Sequence, residues 1–286
     1  MHVNDFEIRP GANLKGAFMR GEILGGLDMS NVDLSEANLA ECSLMGTKLI
    51  NAKMVNADLS IAKLSGSDLT NADLSFSNLS GAELIDCHLA GVDFTDACLI
   101  GADLTNAYMV GVLASGANLS HADLSGADLT DSDLTDTDLS SADLSFANMN
   151  GAKLTNANLT GVNLEEANLN HSRLIGADLT DAHLSCAHLV SADIFGADFS
   201  GADLSGADLS RSNLTEANLY GADLSGADLT DAKLFGANLY GANLKGANLN
   251  GSDLTDAILH KAILTDARFV ETIMTRTTMP DGTIHD

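Results

Sequence analysis

The feature that most constrains the fold of this chain is an unbroken period of five residues. From Leu14 to Met279, a large apolar residue falls at every position ending in 4 or 9 except Ala114, through 54 blocks without one insertion or deletion. It is Leu in 42 of these blocks, and the residue two positions earlier is Ala in 36 of them. This period matches neither the 3.6 residues of a helix nor the continuous alternation of a strand. The chain is therefore expected to be a repeat structure.

Within each block, the residues alternate between inward and outward positions. A small apolar, a polar and a large apolar residue form a short strand segment, as in Ala102-Asp103-Leu104. The next two residues, such as Ser125-Gly126, fit a corner. Gly at that corner suits the positive φ of a type II turn, and we expect Asp or Asn there to give a type I-like turn. Four corners would close a coil of 20 residues, which predicts an all-β, four-sided β-helix of about 13 coils.

The blocks resemble the A(D/N)LXX motif of the pentapeptide-repeat family over residues 11–279, as in Ala37-Asn38-Leu39 and Ala227-Asp228-Leu229. The resemblance implies a right-handed quadrilateral β-helix. The ending TMPDGT, from Thr278 to Thr283, also looks like the tail of many cyanobacterial members. We therefore divide the chain into an N-terminal cap segment, 1–10, a β-helix, 11–279, and a C-terminal tail, 280–286.

Two departures from the motif predict local irregularities. Phe6 and Ile8 precede the first block, and Glu22 and Leu27 replace the inward Ala, so we expect a distorted first coil covered by the segment 1–10. Ala114 is the one block without a large inward residue. Either Leu113 turns inward through a bulge, or a small cavity remains in the ladder of leucines.

The last blocks carry apolar residues at outward positions, where Asp or Asn is usual. These are Ile258, Ile263 and Ile273, and Phe269 stands at an inward position among them. They predict either a cap folded back over the last coil or a homodimer through the C-terminal coil, residues 260–279. The family resemblance supports the second alternative, because some members dimerise end to end through this coil.

Charge and cysteine usage exclude several classes of function. A net charge of -26 with only 14 Lys and Arg makes direct nucleic-acid binding unlikely. No secretory leader and no apolar run of membrane-spanning length is visible, so we expect a cytoplasmic protein that does not contact membranes. The four cysteines lack disulfide or zinc spacing, and Cys42 and Cys87 are expected to point inward. No catalytic, cofactor or metal constellation is present, which predicts a protein that is not an enzyme.

A long acidic stretch is the first candidate surface. Between Lys63 and Lys153 there are 14 carboxylates and neither Lys nor Arg. At 20 residues per coil, Glu83, Asp103, Asp123 and Asp143 stack above one another and form what we call the acidic column. The acidic stretch is either a solvated face, since Asp is the usual outward residue, or a DNA mimic, since the charge density of its 14 carboxylates approaches that of duplex DNA. The resemblance implies DNA gyrase as the target, because relatives that protect against fluoroquinolones bind it; this chain has fewer inward Phe residues and no inserted loop.

A group of aromatic residues is the second candidate surface. Phe195 and Phe235 share one corner column, and Tyr220 and Tyr240 share the next; we call these four residues the aromatic strip. Clustered exposed aromatics predict a contact site, whereas scattered exposure would carry no function. The leading hypothesis is a non-enzymatic scaffold or regulatory protein that binds an unknown protein partner along its faces. The alternative is a DNA mimic that binds gyrase or another DNA-binding protein.

Overall fold

A computed structural model describes residues 2–3 and 6–286 of the chain. The chain divides into two compact units, Met1–Asp143 and Leu144–Asp286. Within the described residues, no helix combines the length and the apolar character needed to cross a membrane.

Both units are built by the same pairing of residues 20 positions apart. In the first unit, parallel bridges run from Asn13 with Asp33 to Asp123 with Asp143, and in the second from Asn148 with Asn168 to Ile258 with Thr278. Within each unit, the large inward residues before the last coil typically donate their N–H to the carbonyl 19 residues later, as Leu14 does to Asp33 at 2.7 Å. Each unit therefore winds as an all-β solenoid in which successive coils are hydrogen-bonded.

Among the residues that the structure describes, regular strands occur only near the two chain ends. In the first unit, β1 (His2–Val3) pairs antiparallel with β2 (Phe6–Glu7). In the second unit, β3 (Thr277–Thr278) pairs antiparallel with β4 (Ile284–His285). The repeats between them contribute single bridged residues, because a corner follows every three-residue segment.

All corners have one backbone conformation, whatever residue occupies them. Gly126 has a φ of 67°, and Asn71 and Asp131 have φ values of 56° and 55°. The expectation that Asp and Asn corners form type I-like turns was therefore wrong, because that turn needs a negative φ at this position. Asn and Asp tolerate the left-handed region better than other side chains, which explains their frequency here.

The interior consists of ladders of leucine with alanine between them. Almost all of these side chains are fully buried, and Cys42 and Cys87 are buried as predicted. Of the two alternatives at Ala114, the bulge is wrong: Leu113 points outward and pairs with Asp93 and Asp133 without interruption. Phe94 lies one coil away in the same ladder, so a larger ring stands next to the smaller methyl group.

The N-terminal end of the first unit is closed over its ladders. Leu14, Met19 and Leu24 are fully buried in the first coil, and Ile8 is buried beside them. The predicted distortion does not reach the cross-coil hydrogen bonds of this coil, which have lengths of 2.7 to 3.0 Å like those elsewhere, but Glu22 and Leu27 are partly exposed at their inward positions. The side chain of Phe6 lies outside the part of the chain that the structure describes.

Candidate interaction surfaces

The outward Asp or Asn of each block has a structural role at the corner that follows it. Its Oδ1 atom accepts the N–H of the second residue on, as Asp123 does from Ser125 at 2.9 Å and Asn118 from Ser120 at 2.9 Å. The hydroxyl of the same serine often adds a second bond, at 2.6 Å for Ser125. Asp and Asn satisfy the corner equally well, so the turn does not require the negative charge.

The acidic column has the geometry that the 20-residue spacing predicts. Bridges join Glu83 to Asp103, Asp103 to Asp123 and Asp123 to Asp143 on consecutive coils. Lys63 precedes Glu83 in the column and approaches it to 3.5 Å, with both side chains about half exposed. Beyond that ion pair the column places one carboxylate per coil at a strand spacing of about 4.8 Å.

Cross-coil hydrogen bonds distinguish this column from those that contain asparagine. The Nδ2 atom of Asn218 donates to Oδ1 of Asp198 at 3.0 Å, and Asn238 donates in the same way to Asn218 at 3.0 Å. A carboxylate cannot donate such a bond at neutral pH. Asp103 and Asp123 therefore face each other with like charges and without the amide bond that neighbouring columns form.

Only two of the four residues of the aromatic strip contact each other. The rings of Tyr220 and Tyr240 are stacked, with centroids 5.4 Å apart and planes 9° from parallel. Phe195 and Phe235 lie in the adjacent corner column two coils apart, with Thr215 between them, and both remain exposed. The structure thus brings the tyrosines together and leaves the phenylalanines as separate contacts.

The tyrosine stack continues to His260, which the sequence analysis did not include. The imidazole centroid lies 5.3 Å from that of Tyr240, and Lys261 places its Nζ atom 5.2 Å from the Tyr240 centroid. The signal was available, since His260 stands 20 residues after Tyr240. The predicted strip contained only Phe and Tyr and therefore omitted this imidazole.

One polar face lies between the two aromatic corners and carries Asp198, Asn218 and Asn238. Burial alone would raise the pKa of Asp198, but hydrogen bonds from Ser200 and Asn218 outweigh it and lower the pKa below its usual value. At its C-terminal end the face changes to exposed Ile258. Beside it, a hydrogen bond from Arg276, with a 2.7 Å contact between Nε and Oδ1, lowers the pKa of Asp256.

The C-terminal coil differs from the interior coils because, within the described part of the chain, most of its last edge is unpaired. Its inward residues Leu264, Phe269 and Met274 are partly exposed, whereas their counterparts in the interior are fully buried. Outward Ile263 and Ile273 are 52% and 51% exposed. Among the described residues, several backbone N–H groups of this coil form no hydrogen bond: those of Leu264, Asp266, Phe269, Glu271, Met274 and Arg276.

The tail does not fold across this open edge. It turns back at Met279, whose N–H donates to the carbonyl of Thr283 at 2.7 Å, and its strand pairs with Thr277–Thr278, while the Pro280 carbonyl accepts the N–H of Lys261 at 3.0 Å. Ile284 is 65% exposed. The arrangement favours the second of the two predicted alternatives, in which another molecule covers the coil.

Concave sites are absent from residues 2–3 and 6–286. No pocket is found there, and no three metal-ligating side chains of His, Cys, Asp or Glu lie together. The chemistry available to a partner is therefore that of convex faces and corners: carboxylates, amides, hydroxyls and the exposed rings.

The structure defines a β-solenoid, and comparison with known proteins identifies its family. A family model for pentapeptide repeats matches eight copies, at residues 28–66, 67–106, 97–136, 117–156, 137–174, 163–201, 192–231 and 237–276. The chain belongs to the pentapeptide-repeat family, and its fold is a right-handed all-β solenoid. Comparison with the curated proteins finds no match.

Three solved structures illustrate the range of similar proteins. HetL, a pentapeptide repeat protein involved in heterocyst differentiation regulation from the cyanobacterium Nostoc sp. strain PCC 7120, is 35% identical, with 80% of this chain and 92% of HetL covered and a TM-score of 0.34. Rfr23 from the cyanobacterium Cyanothece 51142 is 36% identical over 38% of this chain and 64% of its own, with a TM-score of 0.26. QnrB1, a plasmid-mediated fluoroquinolone resistance protein, is 21% identical over 64% of this chain and 84% of its own, with a TM-score of 0.37.

Proposed function

We propose that this chain is a non-enzymatic interaction scaffold of the cytoplasm that binds a protein partner through the aromatic strip. The observation that carries the proposal is the parallel stack of Tyr220 and Tyr240 on an exposed corner. Stacked rings held by a rigid coil lose little side-chain freedom on binding, which suits them as anchors of an interface. The four bridges in every 20 residues support a four-sided coil, and the 54 blocks then amount to about 13 coils.

Affinity capture from the native host tests this role. The wild-type chain is expected to retain a protein that the double variant Tyr220→Ala/Tyr240→Ala loses. Phe146→Ala is the matched control, because Phe146 is an exposed aromatic corner residue of the same unit outside the strip. Equal retention by the wild type and the tyrosine variant would contradict the proposal.

The acidic column supports a second function, mimicry of DNA toward gyrase or another DNA-binding protein. Its consecutive carboxylates sit where Asn would satisfy the corner equally well, so the fold does not account for the charge. A solvated face without a partner is the competing interpretation. The two interpretations make different predictions for an Asp→Asn change, which removes the charge and preserves the turn: it weakens binding to the target protein only if the column is a DNA mimic.

A gyrase supercoiling assay separates these two interpretations. If the column is a mimic, micromolar protein inhibits supercoiling, and Asp103→Asn/Asp123→Asn weakens the inhibition several-fold through lost charge complementarity. Asp203→Asn/Asp223→Asn removes the same charge from the second unit and is the matched control. Absence of inhibition by the wild type would exclude gyrase as the target.

The open edge of the C-terminal coil supports a homodimer. Its unpaired N–H groups and partly exposed Phe269 meet the requirements of an edge that a second copy would cover. Light scattering coupled to size-exclusion chromatography should give a dimer whose dissociation is promoted by Ile263→Asp. Ile23→Asp, at an isoleucine of the first unit that is 75% exposed against 52% for Ile263, should leave it intact. A monomer at all protein concentrations would refute the dimer.

A further inference from the structure

The two faces of the Tyr220 ring have different surroundings. Tyr240 covers one face through the stack, while the neighbour on the other side in the corner column is Ser200, one coil earlier. The Ser200 hydroxyl is engaged with Oδ1 of Asp198 at 2.6 Å, and its side chain is too short to cover a phenol ring. Tyr220 accordingly remains 53% exposed.

The corner next to this open ring face is clear of side chains at Gly221. Gly201 and Gly221 follow Ser200 and Tyr220, and a Cβ atom added at Gly221 would meet nothing within 4 Å, whereas one added at Gly201 would meet the Asp181 carboxylate one coil earlier. A planar group from a partner could therefore lie flat on Tyr220 above Ser200 without displacing the chain. A stacking slot of this kind favours a flat ligand over a branched one.

Carboxylates border the slot on both sides. Asp198 lies on the face before the corner and Asp203 on the face after it, each one coil from Tyr220. Both use Oδ1 for their corners, Asp198 with Ser200 at 2.8 Å and Asp203 with Ser205 at 2.9 Å. Within the described residues, no hydrogen bond reaches Oδ2 of either, so one oxygen of each carboxylate stays available to a partner.

We propose that the open face of Tyr220, flanked by Asp198 and Asp203, receives an arginine side chain of the protein partner. The inference rests on the proposed function, and it names the chemistry that the strip recognises. A guanidinium is planar and cationic, stacks on aromatic faces and donates several hydrogen bonds in its plane, whereas the ammonium of lysine is a strongly hydrated point charge. The slot offers one stacking surface and two carboxylates at its edges, which matches the guanidinium.

Two fluorescently labelled peptides of equal charge, hexa-arginine and hexa-lysine, provide the test. Their non-specific attraction to a chain of net charge -26 is the same, so a difference between them reports the shape of the cation. By fluorescence anisotropy at about 0.15 M salt, the wild type is expected to bind hexa-arginine at least about threefold more tightly than hexa-lysine. Equal affinities for the two peptides would overturn the inference.

Substitutions then locate the preference. Tyr220→Ala and Asp198→Asn/Asp203→Asn should each abolish the preference for arginine, and Asn preserves the corner bonds, so folding is retained. Tyr108→Ala and Asp68→Asn/Asp73→Asn, with an exposed tyrosine and two carboxylates of the first unit, should keep it. A preference that survives Tyr220→Ala would place the arginine elsewhere and refute the proposal.

The outcomes also separate this inference from the proposed function. If the tyrosine variant loses a host protein but the two peptides bind alike, the interaction surface stands and the arginine assignment is wrong. If arginine is preferred through Tyr220 but capture of host proteins does not depend on the tyrosines, the slot is real and the proposed function is wrong.

Discussion

At the scale of single residues, an Asp at the outward position contributes both a hydrogen-bond acceptor and a negative charge. Its side-chain oxygen satisfies a corner N–H, and its charge acts on the surroundings. Asn supplies the first property without the second, and it adds an amide that bonds across coils, as between Asn243 and Asp223 at 3.0 Å. Each Asp in a stacked acidic column therefore costs stability that Asn would not.

Asp123→Asn is expected to stabilise the protein. The new amide keeps the bond from Ser125, gains a donor toward Oδ1 of Asp103 and removes a like-charge contact, together about 0.5 to 1.5 kcal/mol. Thermal unfolding should show a raised midpoint, with a smaller gain at high salt. The reverse change, Asn218→Asp, breaks an existing cross-coil bond and should lower the midpoint. Stabilisation by both variants would refute this account.

Ile61 is a residue whose backbone conformation opposes its side chain. It occupies a corner with a φ of 57°, and β-branched residues rarely adopt that region. Ile61→Gly should therefore stabilise the fold by about 1 kcal/mol in denaturant titrations. Ile100 is also an exposed isoleucine but has no positive φ, so Ile100→Gly should destabilise. Identical signs for the two would contradict backbone strain as the cause.

At the scale of the structural elements, the inward ladder behaves as one packed column. Ala114 and Phe94 lie on consecutive coils and are both buried, and no pocket is found among the described residues. The smaller side chain of Ala114 and the larger ring of Phe94 are thus neighbours in the same ladder. Packing at close to crystal density couples such neighbours.

A double-mutant cycle tests that coupling. Ala114→Leu alone should destabilise by about 1 to 3 kcal/mol through overpacking. Phe94→Leu alone should also destabilise, by loss of buried area. The double variant restores two ordinary leucine rungs and should cost less than the sum of the single changes. Simple additivity in chemical denaturation would show that the two positions pack independently.

At the scale of the whole molecule, hydrogen bonds between coils join residues about 20 positions apart and no further. Stability in such a repeat is close to a sum of nearest-neighbour terms, and an end without a neighbour is the weakest part. The first coil at the N-terminal end is buried, whereas the C-terminal coil has an open edge. The ends are therefore expected to differ in local stability.

Hydrogen exchange measures this difference. The amides of Leu264, Phe269 and Met274 should exchange fastest among inward residues, while those of Leu14 and Met19, bonded to Asp33 and Asn38, should be protected. Protection of the C-terminal coil that rises with protein concentration would indicate coverage by a second copy. Fast exchange at both ends alike would contradict the asymmetry.

The five-residue frame by itself determined which residues point inward, where the corners fall and which outward residues stack. Asp103 and Asp123, or Tyr220 and Tyr240, could be paired from their numbers because a strict period with no insertion leaves one register. The burial of Cys42 and Cys87 followed from the same rule. In this chain, residues 20 positions apart in the sequence are neighbours on consecutive coils.

Only the tertiary structure decided features that depend on more than the period. Corner geometry is one, because the common cross-coil bonding holds Asp131 and Gly126 at nearly the same φ although their intrinsic preferences differ. The ends are another, because burial of Ile8 and exposure of Phe269 depend on how the terminal segments fold back. The stack geometry that joins His260 to Tyr240 and leaves one face of Tyr220 open is a third. Side-chain orientation at a corner is set by its neighbours in space, and no five-residue motif encodes it.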